Sequence, residues 1–177
     1  MKNQKGFSLI ELLIVVVIIG IIAAIAIPNL LAARRAANEG SAVSSLRTMH
    51  GAQATYQSTA GNGDYAGSGA GAVDTVGMTN LNSAGLIDGQ LALGLKSGYA
   101  FTGENFNHLV GPPPTLATFA FRATPQVTSG ITQTGTRDFA IATDGVLSAS
   151  PLTTGVITLG GSAAAGASYS GGAAMGN

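Results

Sequence analysis

The sequence predicts an α+β protein in which a long N-terminal helix packs on a small antiparallel β-sheet. Three observations support this fold class. Every residue from Leu12 to Ile27 is apolar or glycine, as in a membrane-spanning helix. An amphipathic helical pattern continues to about Ser58. Alternating apolar residues, which are typical of strands, begin after Ser97.

The apolar segment, residues 7–31, is long enough to span a membrane, since about 20 helical residues cross the hydrocarbon core. Lys2 and Lys5 precede the segment, and the positive-inside rule places that end in the cytoplasm. Arg34 and Arg35 follow it and argue weakly for the opposite orientation. One carboxylate, Glu11, lies inside the segment. A charge at this place is costly enough to indicate a function.

Three interpretations of the segment are open. A secretory signal peptide would have a shorter apolar core, followed by a cleavage site of small residues. A plain membrane anchor would leave Glu11 unexplained. In the third interpretation the chain is cut between Gly6 and Phe7, and the whole apolar run is retained.

The stretch KGFSLIELLIVVVIIGIIAAIAIPNLL resembles the N-terminal segment of type IV pilins and type II secretion pseudopilins. The matching features are a short basic leader ending in Gly6, Phe7 directly after it, Glu11 at the fifth position after the cut, and the unbroken apolar stretch. The resemblance covers roughly residues 1–60. It implies that a prepilin peptidase removes residues 1–6 and that the new amine of Phe7 is N-methylated.

The resemblance also implies a role for Glu11 in assembly, in which it pairs with the Phe7 amine of a neighbouring subunit. A buried charge requires a partner, and methylation of the amine keeps its positive charge. In an isolated subunit, Glu11 could instead reach the membrane interface.

Gly20 and Pro28 lie where the family has residues that soften the helix. Pro28 predicts a kink or a local loss of helix, whereas close packing would equally explain Gly20.

The region after Pro28 predicts an amphipathic half of the helix at residues 32–60. The buried stripe is expected to contain Leu31, Val43, Leu46, Met49, Gln53 and Tyr56. The charged residues Arg34, Arg35, Glu39 and Arg47 are expected mostly away from it. Gly61 is expected to end the helix. Residues 61–96 predict a helix-to-sheet loop, with a short helical indication at MTNLNSAGLID.

Residues 97–151 predict a head of three or four antiparallel strands. The strand patterns are GYAFTGENF, TLATFAFRAT and RDFAIATDGVLSAS, with Asp144 and Gly145 forming a hairpin turn. The GPPP stretch at 111–114 predicts a stiff break between the first two strands. Residues 152–177 form a low-complexity tail, which could add one edge strand at GVITL.

The composition argues against several classes of function. The chain has no cysteine, which excludes disulfides and thiol catalysis. Its net charge is zero and it has no basic patch, so no nucleic-acid partner is indicated. Asp64, Asp74 and Asp88 lack the regular spacing of calcium ligands. Glu104 and His108 are expected in a polar loop. We predict no metal, no cofactor and no enzymatic activity.

The most direct expectation is a pilus subunit for adhesion or motility. Its precursor would lie in the inner membrane with the N-terminus in the cytoplasm, and the processed chain would form an extracellular filament. The implied partners are membrane lipid before assembly, the prepilin peptidase, an inner-membrane assembly platform and further copies of the chain. The alternative is a pseudopilin in a periplasmic piston. A membrane-tethered binding protein that never polymerises is a third possibility, and it predicts that Glu11→Ala leaves function intact.

Overall fold

The computed structural model describes residues 6–108, 115–152, 157–161 and 168–175. It divides into two compact units, residues 1–34 and residues 35–177. Helix α1 spans Leu9–Ser58, α2 spans Val76–Ser83 and α3 spans Gly89–Ala92. The predicted long N-terminal helix is confirmed. The helix ends at Ser58. The amide of Gly61, the glycine at which the sequence predicted the end, donates to the carbonyl of Tyr56 at 2.8 Å.

The N-terminal unit exposes its apolar side chains. Every large apolar residue of α1 from Leu9 to Leu30 is more than half exposed. By length and composition α1 is the one helix among the described residues that could cross a membrane, although a signal sequence near an N-terminus would pass the same test. The described part of the chain leaves this surface uncovered, and an apolar patch of this size marks an interaction surface.

The second unit is built on an antiparallel sheet, and the predicted α+β class is confirmed. The strands are β1 Leu95–Lys96, β2 Tyr99–Phe106, β3 Thr118–Pro125, β4 Arg137–Ala142, β5 Leu147–Pro151, β6 Thr158–Leu159, β7 Tyr169–Ser170 and β8 Ala173–Ala174. Six of them form one sheet in the order β1-β2-β3-β4-β5-β8, and β6 pairs with β7 separately. The four long strands lie where the sequence predicted them. The expected total of three or four strands is wrong, because β1 and β8 add edges of two residues.

The inner face of the sheet carries the core. Phe121 lies opposite Ile141, and Ala123 lies opposite Phe139, so alternate residues of β3 and β4 point to the same side. These side chains pack in one buried cluster with Leu46 and Met49 of α1. Phe119 also packs in this cluster, on the same face as Phe121.

The predicted set of buried helix residues is confirmed at its centre, but it wrongly leaves out one charged residue. Leu46, Met49 and Gln53 are fully buried, while Val43 and Tyr56 are only partly buried. The amide of Gln53 is satisfied by Ala66, whose N–H donates to Oε1 at 2.7 Å and whose carbonyl accepts from Nε2 at 2.9 Å. Glu39, which was expected away from the stripe, is buried.

Residues 61–96 are more ordered than the predicted loop. They contain α2, α3 and β1, and they contribute Met78, Leu81 and Leu91 to the core. Asp88 caps α3, because its Oδ1 accepts the amide N–H of Leu91 at 2.8 Å.

The outer face of the sheet is covered by part of the C-terminal segment. Ile157 is fully buried, and its carbonyl accepts from Arg122 Nη1 at 2.7 Å. Glu104 lies in β2 beneath this cover and accepts the Ser168 amide at 2.9 Å, so its predicted place in a loop is wrong. Burial raises the pKa of Glu104, although its hydrogen bonds act in the opposite direction.

The predicted edge strand at GVITL is also corrected. Thr158 and Leu159 pair with β7, whereas β8 occupies the edge beside β5. The predicted break at 111–114 lies outside the described residues. The leader residues 1–5 and the tail residues 153–156, 162–167 and 176–177 lie outside them as well.

We predict that Leu46→Ala destabilises the head by about 2–5 kcal/mol, because it removes a fully buried side chain between helix and sheet. Urea unfolding of the detergent-solubilised chain, followed by circular dichroism, measures the change. Leu93→Ala is the matched control, since Leu93 is 70% exposed, and it should change the stability by less than about 0.5 kcal/mol. Equal effects of the two variants would contradict the observed helix–sheet packing.

Candidate assembly site

The first turn of α1 contains a side-chain cap. Ser8 directly precedes the helix, and its backbone N–H donates to Glu11 Oε2 at 2.8 Å. A serine followed three residues later by a glutamate is the capping-box arrangement. Glu11 thereby satisfies one of the amide groups that the start of a helix leaves without a partner. The sequence analysis missed this role, although the spacing of Ser8 and Glu11 was visible.

The capping bond does not neutralise Glu11. A backbone amide supplies one hydrogen bond and only a partial positive charge, whereas a carboxylate carries a full negative charge. Glu11 Oε1 makes no hydrogen bond to any part of the chain that the structure describes. One oxygen of the carboxylate is therefore available to a cation from another molecule.

The predicted cleavage site lies before the helix. Gly6 and Phe7 have no regular secondary structure and are exposed, and Phe7 is 90% exposed. Exposed, irregular chain is the form in which a peptide bond is most accessible to a peptidase. Cleavage and methylation at this position stay predictions.

Gly20 and Pro28 both lie inside α1, which is continuous through them. Pro28 has no N–H, so it cannot donate to the carbonyl of Ala24, four residues earlier. The side chain of Asn29 donates to the carbonyl of Ile25 at 3.1 Å. A kink or loss of helix at these positions stays a prediction about the assembled state.

A second polar site fastens the head to α1. Glu39 Oε1 accepts from the amide and the hydroxyl of Thr136, at 2.8 and 2.7 Å. Glu39 Oε2 accepts from Nε and Nη2 of Arg137, at 3.0 and 2.8 Å. This two-point contact between a guanidinium and a carboxylate is among the strong ones. It joins the middle of α1 to the start of β4.

The environment of Glu39 favours its charged form. Burial raises its pKa, but the hydrogen bonds from Thr136 and the charge of Arg137 outweigh burial, and the pKa lies below its ordinary value of 4.5. Sequence reasoning could not find this pair, because Glu39 and Arg137 are far apart in the chain. Neither residue belongs to a recognisable motif.

Two further ion pairs lie apart from these sites. Asp64 contacts His108 at 2.8 Å, and Asp88 contacts Lys96 at 2.6 Å. The ring of His50 lies 5.5 Å from that of Phe119, at the border of helix and sheet. Among the described residues, no three His, Asp or Glu side chains are grouped so that they could hold a metal ion.

The chain combines an apolar helix that has one acid near its start with an antiparallel head. We compared this combination with known protein families. Residues 1–27 match the family model of the prokaryotic N-terminal methylation motif. The predicted resemblance to type IV pilins and type II secretion pseudopilins is confirmed by this match and by the relatives that follow.

Three relatives show the range of the class. The chain is 69% identical over 39 residues to the type IV wide pilus major component PilA4 of Thermus thermophilus, over 22% of this chain and 30% of the relative. It is 46% identical over 54 residues to the type IV major pilin protein PilA of Myxococcus xanthus, over 30% and 24% of the two chains. It is 37% identical over 57 residues to the type II secretion system core protein G of Klebsiella pneumoniae, over 32% and 41%.

These similarities cover only part of each protein. The matched region spans between 24% and 41% of the length of these relatives. No solved structure matches the chain significantly. The comparisons therefore bear on the N-terminal segment, and the head has to be understood from its own structure.

We predict that Glu39→Gln lowers the stability of the head by about 1–3 kcal/mol at pH 7, because Arg137 loses a charged partner. The folded-state pKa of Glu39 is depressed, so its contribution is present above about pH 4.5 and is lost as the pH falls through the folded pKa. The difference in stability between wild type and variant should shrink towards pH 3, measured by urea unfolding at each pH.

Asp88→Asn is the matched control for this prediction. It removes the charge from a more exposed pair with Lys96 and keeps a residue that caps a helix well. Its cost should stay below about 1 kcal/mol, as for exposed ion pairs. A Glu39→Gln difference that is equally large at pH 7 and pH 3 would show that the lost contact is not ionic.

Proposed function

We propose that this chain is a structural subunit of a type IV pilus. Its precursor lies in the inner membrane, a prepilin peptidase cleaves it after Gly6, and the amine of Phe7 is methylated. The processed chain then polymerises into a surface filament for adhesion or motility. The match of residues 1–27 to the N-terminal methylation motif and the similarity to two named type IV pilins support this proposal.

The observation that carries the proposal is Glu11 within an exposed apolar helix. An acid in the bilayer is costly, and the capping bond from Ser8 leaves its charge unneutralised. The methylated amine of Phe7 in a neighbouring subunit would supply the missing positive charge. Pairing at one fixed offset would set the stagger between adjacent helices, while the apolar surfaces of the helices replace lipid contacts with contacts to one another.

A pseudopilin of a type II secretion system is the second candidate. The similarity to the type II secretion system core protein G of Klebsiella pneumoniae favours it. The same processing and the same charge pairing would then build a short periplasmic piston. The two functions differ in where the processed chain is found.

The proposed function implies four kinds of partner. Lipid surrounds α1 before assembly, and the prepilin peptidase acts on the precursor. An inner-membrane assembly platform extracts the subunit, and further copies of the chain form the filament. We expect the lysines before the apolar run to keep the precursor's N-terminus in the cytoplasm.

Intact-mass analysis of a sheared surface fraction tests the processing. We expect a chain that begins at Phe7 and carries one additional methyl group. Processed chain confined to the cell envelope would favour the pseudopilin. Chain that still begins at Met1 and occurs only in membranes would overturn both proposals.

The role of Glu11 is tested by two variants. Glu11→Gln keeps an oxygen that can accept the Ser8 amide but removes the charge, whereas Glu11→Ala removes both. If pairing with Phe7 drives assembly, both variants should yield at least about 100-fold less filament, as expected when a buried ion pair is broken. Quantitative blotting of sheared filaments measures this.

The control is Asp144→Asn, which neutralises an exposed carboxylate in a turn of the head and should leave the filament yield unchanged. Normal filament yield from Glu11→Gln, with loss only in Glu11→Ala, would mean that Glu11 acts as a helix cap. Normal yield from both variants would overturn the assembly role of Glu11, whereas a wild-type chain that yields no filament would support a tethered protein that does not polymerise.

A further inference from the structure

The loop between β3 and β4 has an unusual composition. No charged residue occurs between Arg122 and Arg137. The part of this segment at residues 127–134, here called the 127–134 loop, exposes Ile131 to 80% and Val127 to 37%. A loop without charges can approach an apolar phase without the cost of dehydrating an ion.

The loop is held in a defined conformation. The amide of Thr134 donates to the carbonyl of Val127 at 3.0 Å, and the amide of Gln133 donates to the carbonyl of Gly130 at 3.2 Å. The side chain of Gln133 donates to the carbonyl of Thr128 at 3.0 Å. Since these bonds close the loop on itself, Ile131 is presented at the tip of an ordered turn.

Three contacts fix the direction of the loop along the helical stretch 35–58. Thr136 bonds to Glu39, the carbonyl of Thr134 accepts from Asn38 Nδ2 at 2.9 Å, and Gln133 Oε1 accepts from Arg35 Nη1 at 2.9 Å. Going backwards along the loop, the helix partner moves from residue 39 to 38 and then to 35. The tip therefore lies towards the N-terminal end of that stretch.

This end of the stretch is close in sequence to the apolar run. Arg35 follows Leu31 by four residues, which is about 6 Å along a helix. If the apolar run lies in a bilayer, Arg35 stands at the level of the lipid headgroups. The guanidinium group of Arg35, which donates to Gln133 of the loop, would then lie near anionic phosphates.

We propose that the 127–134 loop is a second membrane contact, which inserts Ile131 into the headgroup region of an anionic bilayer and orients the head before assembly. The partner is a lipid surface, because an apolar tip next to a cation complements anionic headgroups above an apolar interior. This inference rests on the proposed function in one respect, the membrane insertion of α1. It assigns a role to the head that the N-terminal motif does not contain.

The absence of cysteine makes a clean test possible. Single variants Ile131→Cys, Leu116→Cys and Ile22→Cys of the full-length precursor are labelled with an environment-sensitive fluorophore. Each is reconstituted into vesicles of neutral and anionic phospholipid, with or without spin-labelled lipids that quench fluorescence at the headgroup or in the acyl chains. Leu116 is the matched control, since it is 87% exposed and precedes the end of β3 that lies one strand length, roughly 25 Å, from the loop.

We expect the label at position 131 to emit at shorter wavelength in vesicles and to be quenched by headgroup spin labels. The label at position 116 should show neither effect. The label at position 22 should be quenched by acyl-chain spin labels. Arg35→Gln should reduce the quenching at position 131 in anionic vesicles, because the attraction of the cation to the headgroups is lost.

The outcomes separate this proposal from the proposed function. Quenching at position 22 without quenching at position 131 would overturn the loop contact and leave the pilus subunit proposal standing. No quenching at position 22 would show that the apolar run is not inserted, and both would fall. A wavelength shift at position 131 without lipid quenching would indicate contact with a second copy of the chain, and it would overturn the lipid assignment.

Discussion

The uncovered apolar surface of α1 is the constraint on which the rest of the molecule depends. From Leu9 to Leu30 the large side chains of the helix are more than half exposed, and water cannot be their final environment. Lipid and the same helix in other copies are the two environments that offer equivalent contacts. Because lipid chains are as apolar as these side chains, apolar burial alone gives little preference for either. A polar interaction has to decide, and under the proposed function the carboxylate of Glu11 provides it.

The small number of charges makes each one informative. Only 9% of the residues are charged, and several of these have a structural role. Glu39 and Arg137 join the helix to the sheet. Asp88 caps a helix, and Glu104 holds the covering segment at Ser168. Glu11 differs from these residues in its place, because it lies in the exposed apolar part of α1, where its partner within the described chain is a backbone amide. A charge balanced incompletely within one subunit is suited to a contact between subunits.

The two faces of the sheet are covered by different elements. The inner face buries aromatic side chains against α1, and this packing depends on strand alternation and apolar volume. The outer face carries Phe106, alanines and polar side chains, and Ile157 and β6–β7 cover it. Asp138 is fully buried there. Burial raises its pKa, although the charge of Arg122 acts in the opposite direction.

The sequence by itself determined the elements that depend on local periodicity and on fixed motif spacing. These are the helix from Leu9 to Ser58, the strands β2 to β5, the hairpin at Asp144 and Gly145, and the motif around Gly6, Phe7 and Glu11. The tertiary structure alone decided which distant residues meet. Glu39 is buried because Arg137 pairs with it. Glu104 is buried beneath a C-terminal segment whose sequence has no periodic pattern. The edge strands β1 and β8 are two residues long, too short to show alternation, so only their partners reveal them. Side chains far apart in the chain pair because the sheet and helix bring them together, and no local pattern records that proximity.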